Sequence, residues 1–270
     1  MKLLAWDTSS KSGTLVALTW DQSENSGWDG VTLAGELTLN IELTHSEKLL
    51  FGIDRILSTA NWHIDDVDLF GVGIGPGSFT GLRIGVTTAR TLAHTLGKKL
   101  VGVSSLAILA RPLALATTLL GDRSKKVITV ATTTACKGEL FALWGYATSV
   151  LNYNSKKCGV FEQVIHPEPL IHAIKKELQK HSTAFWAAVG EGRRSYQQTW
   201  TQLPSTSELK LNFPFADHIQ PRYLGLLCWE AFQAGLATDP LSVLPQYLRA
   251  SDAEIKLRAG LLPPGPTRGL

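Results

Sequence analysis

Residues 71–85 read GVGIGPGSFTGLRIG, from Gly71 to Gly85. The stretch starts as a buried strand, breaks at Gly75-Pro76-Gly77 and restarts as a helix predicted to run to about Leu96. Glycines stand at 73, 77, 81 and 85, every fourth residue. Gly81 and Gly85 fall inside the helix, where each costs about 1 kcal/mol against alanine. Such a cost is tolerated where a backbone comes close to a ligand or to another helix. Ser78 is placed to cap the helix. A helix N-terminus behind a glycine turn can receive an anion; the same residues also make a tight corner with no ligand. The glycines continue down the helix beyond the reach of a phosphate. The stretch is therefore read chiefly as the base of a protein-binding surface.

The whole chain has 270 residues and a formal charge of +3, too small to argue for nucleic-acid binding by itself. Its length suits two modest domains or one large one. No apolar run is long enough to predict a membrane span. The start, MKLLAWDTSS, reads as a first strand and not as a signal peptide. Cys136, Cys158 and Cys228 are few, odd in number and far apart, which points to a reducing cytoplasm and not to a disulfide framework.

Strands are predicted at 3–6, 14–19 and 31–43, the last alternating Leu37, Leu39, Ile41 and Leu43 on one face. Thr44-His45-Ser46-Glu47 is a capping-box signature, and Leu49, Ile53, Ile56 and Ala60 follow at helical spacing. A strand at 68–74, the helix of the opening stretch and a strand at 99–103 complete the first half. In that helix Leu82, Val86, Ala89, Ala93 and Leu96 form one stripe, with Arg83, Arg90 and His94 on another face. After a helix near 105–116 the pattern repeats, with strands at 127–133, 139–147 and 159–165, a helix at 168–181 and a strand at 184–189. Gly190-Glu191-Gly192 then stands where Gly75-Pro76-Gly77 stands in the first half. A helix over 223–235 comes later. The duplicated βββαβα order predicts an α/β protein of two similar lobes, each with a mixed sheet, in the manner of the actin/sugar-kinase/Hsp70 superfamily. The lobes are expected at 1–110 and 111–250, with a loose tail at 251–270.

GPGSFTGLRIG at 75–85 resembles the hallmark of the bacterial TsaB (YeaZ) family of tRNA threonylcarbamoyladenosine biosynthesis proteins. LLAWDTSSKSGTLVAL at 3–18, THSEKLL at 44–50, LVGVSSL at 100–106, VGEGRRSY at 189–196 and PQYLRASDAE at 245–254 are similar to further parts of that family. The segment ATTTACK at 131–137 departs from it, since the family commonly carries an Asp-Ala-Arg type strand end there. The resemblance implies a non-catalytic scaffold subunit. Its paralogue TsaD would transfer the threonylcarbamoyl group to the tRNA adenosine beside the anticodon. The ATPase TsaE would join through the complex, tRNA would be met indirectly, and the chain alone would form a homodimer.

The resemblance also implies roles for particular residues. The paralogue holds a metal with His-x-x-x-His after its fifth strand; here Ser105 and Leu109 stand in those positions, so no metal site is expected. No catalytic residue is assigned. The partner interface is expected on the helices at 45–60 and 79–96, through His45, Glu47, Leu49, Gly52, Ile53, Gly81, Arg83, Gly85, Thr88 and Leu92. Arg83, Arg90 and His94 are rim contacts or part of a basic strip for tRNA. Asp7, Thr8, Ser9, Gly75 and Gly77 are candidates to face a nucleotide, against a plain Asx turn ending a strand. No cofactor is expected to be held tightly; ATP or ADP would bind only at the complex interface. The competing reading is an ATP-dependent phosphotransferase or a glycopeptidase-like enzyme of the same fold.

Overall fold

The computed structural model describes residues 1–21, 30–40, 46–120, 126–153, 159–181, 183–209, 217–250 and 256–257. The first half runs β1 (Lys2–Asp7), β2 (Ser12–Trp20), β3 (Val31–Asn40), α1 (Ser46–Ala60), β4 (Leu69–Gly73), α2 (Phe79–Thr95) and β5 (Lys99–Val103). After α3 (Ser105–Leu120) come β6 (Val127–Thr134), β7 (Leu140–Tyr146), α4 (Ala147–Leu151), β8 (Phe161–Ile165), α5 (Pro167–Gln179) and β9 (Phe185–Val189). Two short helices, α6 (Glu191–Ser195) and α7 (Gln197–Trp200), precede α8 (Pro221–Gln233). The capping box at 44–47 and the tail at 251–270 lie largely outside the described residues.

One sheet has the order β3-β2-β1-β4-β5 and the other β8-β7-β6-β9. Both are mixed, as the element order predicted. Hairpin neighbours pair antiparallel, β1 with β2 and β6 with β7. Strands reached through a helical crossover pair parallel, β1 with β4 and β6 with β9. β1 is apolar throughout its middle because both its faces are covered. Leu4 and Trp6 point into a core shared with α1 and α2, while Leu3 and Ala5 point into a second core with α3 and α8. A third core lies between the second sheet and α5, with Ile128, Leu170, Ile174, Trp186 and Trp200.

The expected division at residue 110 falls inside α3, and the first sheet is also covered from beyond it. Helix α8, from within 111–250, packs on β1, β2 and β5 of the first sheet. Its buried stripe of Leu224, Leu227, Cys228 and Ala231 covers the face that α1 and α2 leave open. Gly225 lets it sit close to Val16 and Leu18, and its Glu230 pairs with the buried Arg111 of α3. Strand-to-strand order predicts partners within a lobe; it does not say which sheet face a later amphipathic helix will close. Among the described residues no helix is long and apolar enough to cross a membrane.

Candidate functional site

The glycine stretch forms a seam against the end of β1. β1 and β4 pair as far as Trp6↔Val72, and the next residue, Gly73, abuts Asp7: a Cβ there would fall 1.7 Å from Asp7 Oδ2. A Cβ on Gly77 would fall 2.3 Å from the Ser9 carbonyl, on Gly81 2.0 Å from the Thr8 carbonyl, and on Gly85 2.1 Å from Thr8 Oγ1. All are closer than side-chain carbons approach, so only glycine fits. The seam is also bonded. Ser78 N donates to Ser9 O at 2.7 Å, Thr8 Oγ1 to Gly81 O at 2.7 Å, and Trp6 Nε1 to Gly85 O at 3.0 Å. Ser78 caps α2 as expected, accepting from Gly81 N at 3.2 Å.

This corrects the reading of the stretch as the base of a protein-binding surface. Gly81 and Gly85 face the chain's own Thr8. The every-fourth spacing announces a close backbone approach; it does not name the neighbour. The same holds on α1, where Gly52 faces Leu15 and Leu39 and Leu49 and Ile53 are buried in the lobe's core.

Asp7 is fully buried at the head of the seam. Its Oδ1 accepts from Ser9 N at 2.8 Å and Ser9 Oγ at 2.6 Å. Its Oδ2 accepts from Ser105 Oγ at 2.5 Å, and Ser105 Oγ in turn accepts from Gly75 N at 3.1 Å. The network ties the ends of β1 and β4 to the start of α3. Burial pushes the Asp7 carboxyl above its usual range, and the bonds from Ser105 and Ser9 pull it back to some extent. Burial, with the neighbouring Asp7 second, likewise pushes the Cys228 thiol up. Asp7 is thus a buried tie and not a carboxylate presented to phosphate or metal. Thr8 is buried beside it and Gly75 sits behind Leu82, so these two nucleotide candidates are also corrected. Ser105 is spent on Asp7 and Gly75, and Leu109 is buried in the core; neither position fits a metal ligand.

A cleft of about 260 Å³ opens between the lobes, lined among others by Ser9, Lys11, Gly77, Ser78, Glu191 and His218. Of the five nucleotide candidates, Ser9 and Gly77 line it. The second-lobe wall is held by Gly190 N donating to Asp217 Oδ1 at 2.9 Å and by Thr134 N and Oγ1 donating to Glu191. Sequence reading located the Gly190-Glu191-Gly192 turn but missed Lys11, Asp217 and His218. Nothing in their local pattern marks them; Lys11 comes with the turn after β1, and only the folding of 217–219 back to the cleft brings Asp217 and His218 there.

Outside the cleft, α1 and α2 lie side by side on one face of the first sheet. Glu47 and Arg83 are exposed, Thr88 and Leu92 half-buried, and His45 lies outside the described residues. Two large apolar side chains of α1 stand out to solvent, Leu50 at 53% and Phe51 at 52% exposure. The Arg55 guanidinium lies 5.0 Å from the Phe51 ring centre, and Arg83 lies 4.0 Å from that of Phe79. Leu50 is legible in the sequence as a widening of the apolar stripe; Phe51 is not. Arg90 is occupied elsewhere, with its Nη2 donating to Leu241 O at 3.0 Å.

Comparisons with known proteins agree with this architecture. The family described as TsaD, tRNA N6-adenosine threonylcarbamoyltransferase, matches residues 40–257. The Escherichia coli tRNA threonylcarbamoyladenosine biosynthesis protein TsaB is 28% identical over 269 residues, covering 95% of this chain and 98% of its own length. The Bacillus subtilis TsaB protein is 26% identical over 256 residues, with 95% and 97% covered. A crystal structure from Pseudomonas aeruginosa, described as an uncharacterized protein with similarity to peptidase YeaZ, shares the fold. Its TM-score is 0.64 at 24% identity, with 92% of this chain and 99% of that one covered. The chain belongs to the TsaD-type threonylcarbamoyltransferase family, and within that fold to the TsaB (YeaZ) group.

Proposed function

We propose that the chain serves tRNA threonylcarbamoyladenosine biosynthesis as a non-catalytic scaffold subunit, pairing with a TsaD-type paralogue through the outer faces of α1 and α2. The observation that carries this reading is the engagement of Asp7 and Ser105 inside the fold. Asp7, the candidate to face a nucleotide, and Ser105, at a position where the paralogue would hold its metal, are already spent on holding strands and helices together. The exposed Leu50 and Phe51 on α1 support the rest, because large apolar side chains left out to solvent on a helix are the kind of surface that a partner's helices bury. In this reading the ATPase TsaE joins through the complex, tRNA reaches the chain within that assembly, nucleotide binds only where the subunits meet, and the chain alone self-associates through the same helices. The name of the bacterial TsaB relatives supports the process, tRNA threonylcarbamoyladenosine biosynthesis.

The test is capture of the paralogue by Leu50→Asp and Phe51→Asp chains. Both positions are exposed, so circular dichroism and melting temperature should stay as in the wild type, while capture falls by about tenfold or more per site. Undiminished capture by both variants, or full modification of tRNA by the purified paralogue without this chain, would sink the reading. The hydroxyl-rich cleft with Lys11 favours one competitor, a nucleotide-binding enzyme. Calorimetry with ATP and magnesium separates the two, since tight binding by the isolated chain belongs only to the competitor.

A further inference from the structure

Helix α5 closes the outer side of the second sheet, away from the cleft and from α1 and α2. Its Leu170, Ile171 and Ile174 are buried against β6 and β9. At 100° per residue the opposite face carries Glu168, then His172, Lys175, Lys176 and Lys180. Glu168 sits in the first turn, where a carboxylate suits the helix dipole. From His172 to the C-terminus the face is basic, with His172, Lys176 and Lys180 exposed and Lys175 half-exposed.

The patch continues beyond the helix. Lys126, the residue before β6, has its Nζ 3.0 Å from His181 Nε2 and 5.4 Å from the Tyr146 ring centre. Glu177 is the carboxylate within the cluster, and it is already held by Lys180 at 2.5 Å and by the Tyr146 hydroxyl at 3.1 Å. Lys175 and Lys176 have no carboxylate partner among the described residues. One cation in the last turn would serve the helix dipole. Four lysines and two histidines against two acids, Glu168 in the first turn and the already paired Glu177, exceed that role, and they gather on one side of a chain whose overall charge is only +3.

We propose that this α5 face binds the phosphate backbone of RNA directly. Lysine ammoniums spaced one turn apart along a helix meet successive phosphates as point charges, without reading bases. The imidazoles of His172 and His181 stand beside them. The choice of RNA over another polyanion rests on the proposed role in tRNA modification. The patch lies on a different lobe from the α1 and α2 faces, so a chain paired through those helices keeps it free.

The experiment is fluorescence anisotropy of a labelled tRNA with the full chain, from low to physiological salt. The expected result is binding that weakens steeply with salt. In Lys175→Gln/Lys176→Gln/Lys180→Gln the slope of log affinity against log salt should fall by about 3 and low-salt affinity by about tenfold or more. Glutamine keeps helix propensity, and a second variant, Lys126→Gln, alters the patch without touching α5. Paralogue capture measured on the same variants separates this inference from the functional reading. Lost RNA binding with intact capture supports the patch. RNA affinity and salt slope unchanged in both variants overturn it, as does no RNA binding by the wild type. Anionic phospholipid vesicles bound by the wild type in preference to tRNA overturn it as well, in favour of a membrane surface.

Discussion

Gly73 abuts Asp7 at the end of β1, and Gly190 abuts Thr132 at the corresponding point of β6. In each lobe the pairing of the first strand with its parallel neighbour ends just before this point, at Trp6↔Val72 and Ala131↔Val189. In each a glycine then lets the chain cross over the end of the first strand, and a Cβ on Gly190 would fall 2.0 Å from the Thr132 carbonyl. The polar residue differs. Asp7 needs Ser9 and Ser105 as donors, whereas Thr132 Oγ1 makes one long bond, 3.4 Å, to Val189 O. The helix differs too: α2 spans Phe79–Thr95, α6 only Glu191–Ser195. Both polar groups are buried, so a strand–turn–helix corner of this kind does not require a carboxylate that faces a ligand. What the first lobe gains is a long helix clamped to β1 and therefore able to carry a rigid outer surface.

Three substitutions test the difference between the lobes. Gly81→Ala should cost most. Its Cβ would meet backbone, the Thr8 carbonyl, which cannot swing aside, so a loss of about 3 kcal/mol is expected against the gain of about 1 kcal/mol that alanine brings to a helix. Urea melts measure it, and a stable variant would show the seam to be looser than described. Gly85→Leu would likewise crowd the seam, since a Cβ there falls 2.1 Å from Thr8 Oγ1.

Asp7→Asn should cost about 1–3 kcal/mol, because the amide nitrogen cannot accept the bond from Ser105 or Ser9. Its pH dependence is the sharper test. Burial raises the folded carboxyl above its usual value. That group's contribution is complete below the unfolded value near 3.8 and is lost as pH rises through the folded one. The Asn penalty should therefore be largest in acid and shrink toward neutrality. A penalty growing with pH would mean that Asp7 is stabilised as the anion, as a ligand-facing carboxylate would be. Thr132→Val, its counterpart, should cost least, under about 1 kcal/mol and flat with pH. A larger loss there would show that the second lobe depends on its hydroxyl as the first does on its acid.

Much of this architecture is legible in the chain. Period-two alternation and 3.6-residue stripes locate the main strands and most of the longer helices, including α2 and α5. The duplicated order predicts two mixed sheets because hairpins pair antiparallel and helical crossovers pair parallel. Ser78 is readable as a cap, since the cap bond is made within three residues. The short α6 and α7 are not legible, being too brief to show a period.

For the site, the four-residue spacing of Gly73, Gly77, Gly81 and Gly85 announces a close approach, because the two in the helix interior are disfavoured unless space demands them. Only the tertiary structure decided that the approach is to Asp7, Thr8 and Ser9. Those residues lie more than sixty positions away in the chain, and the spacing of one element carries no information about the identity of its neighbour. The same limit applies to Asp7, whose type suggested a ligand and whose surroundings, fully buried and supplied with donors, make it a tie between β1, β4 and α3.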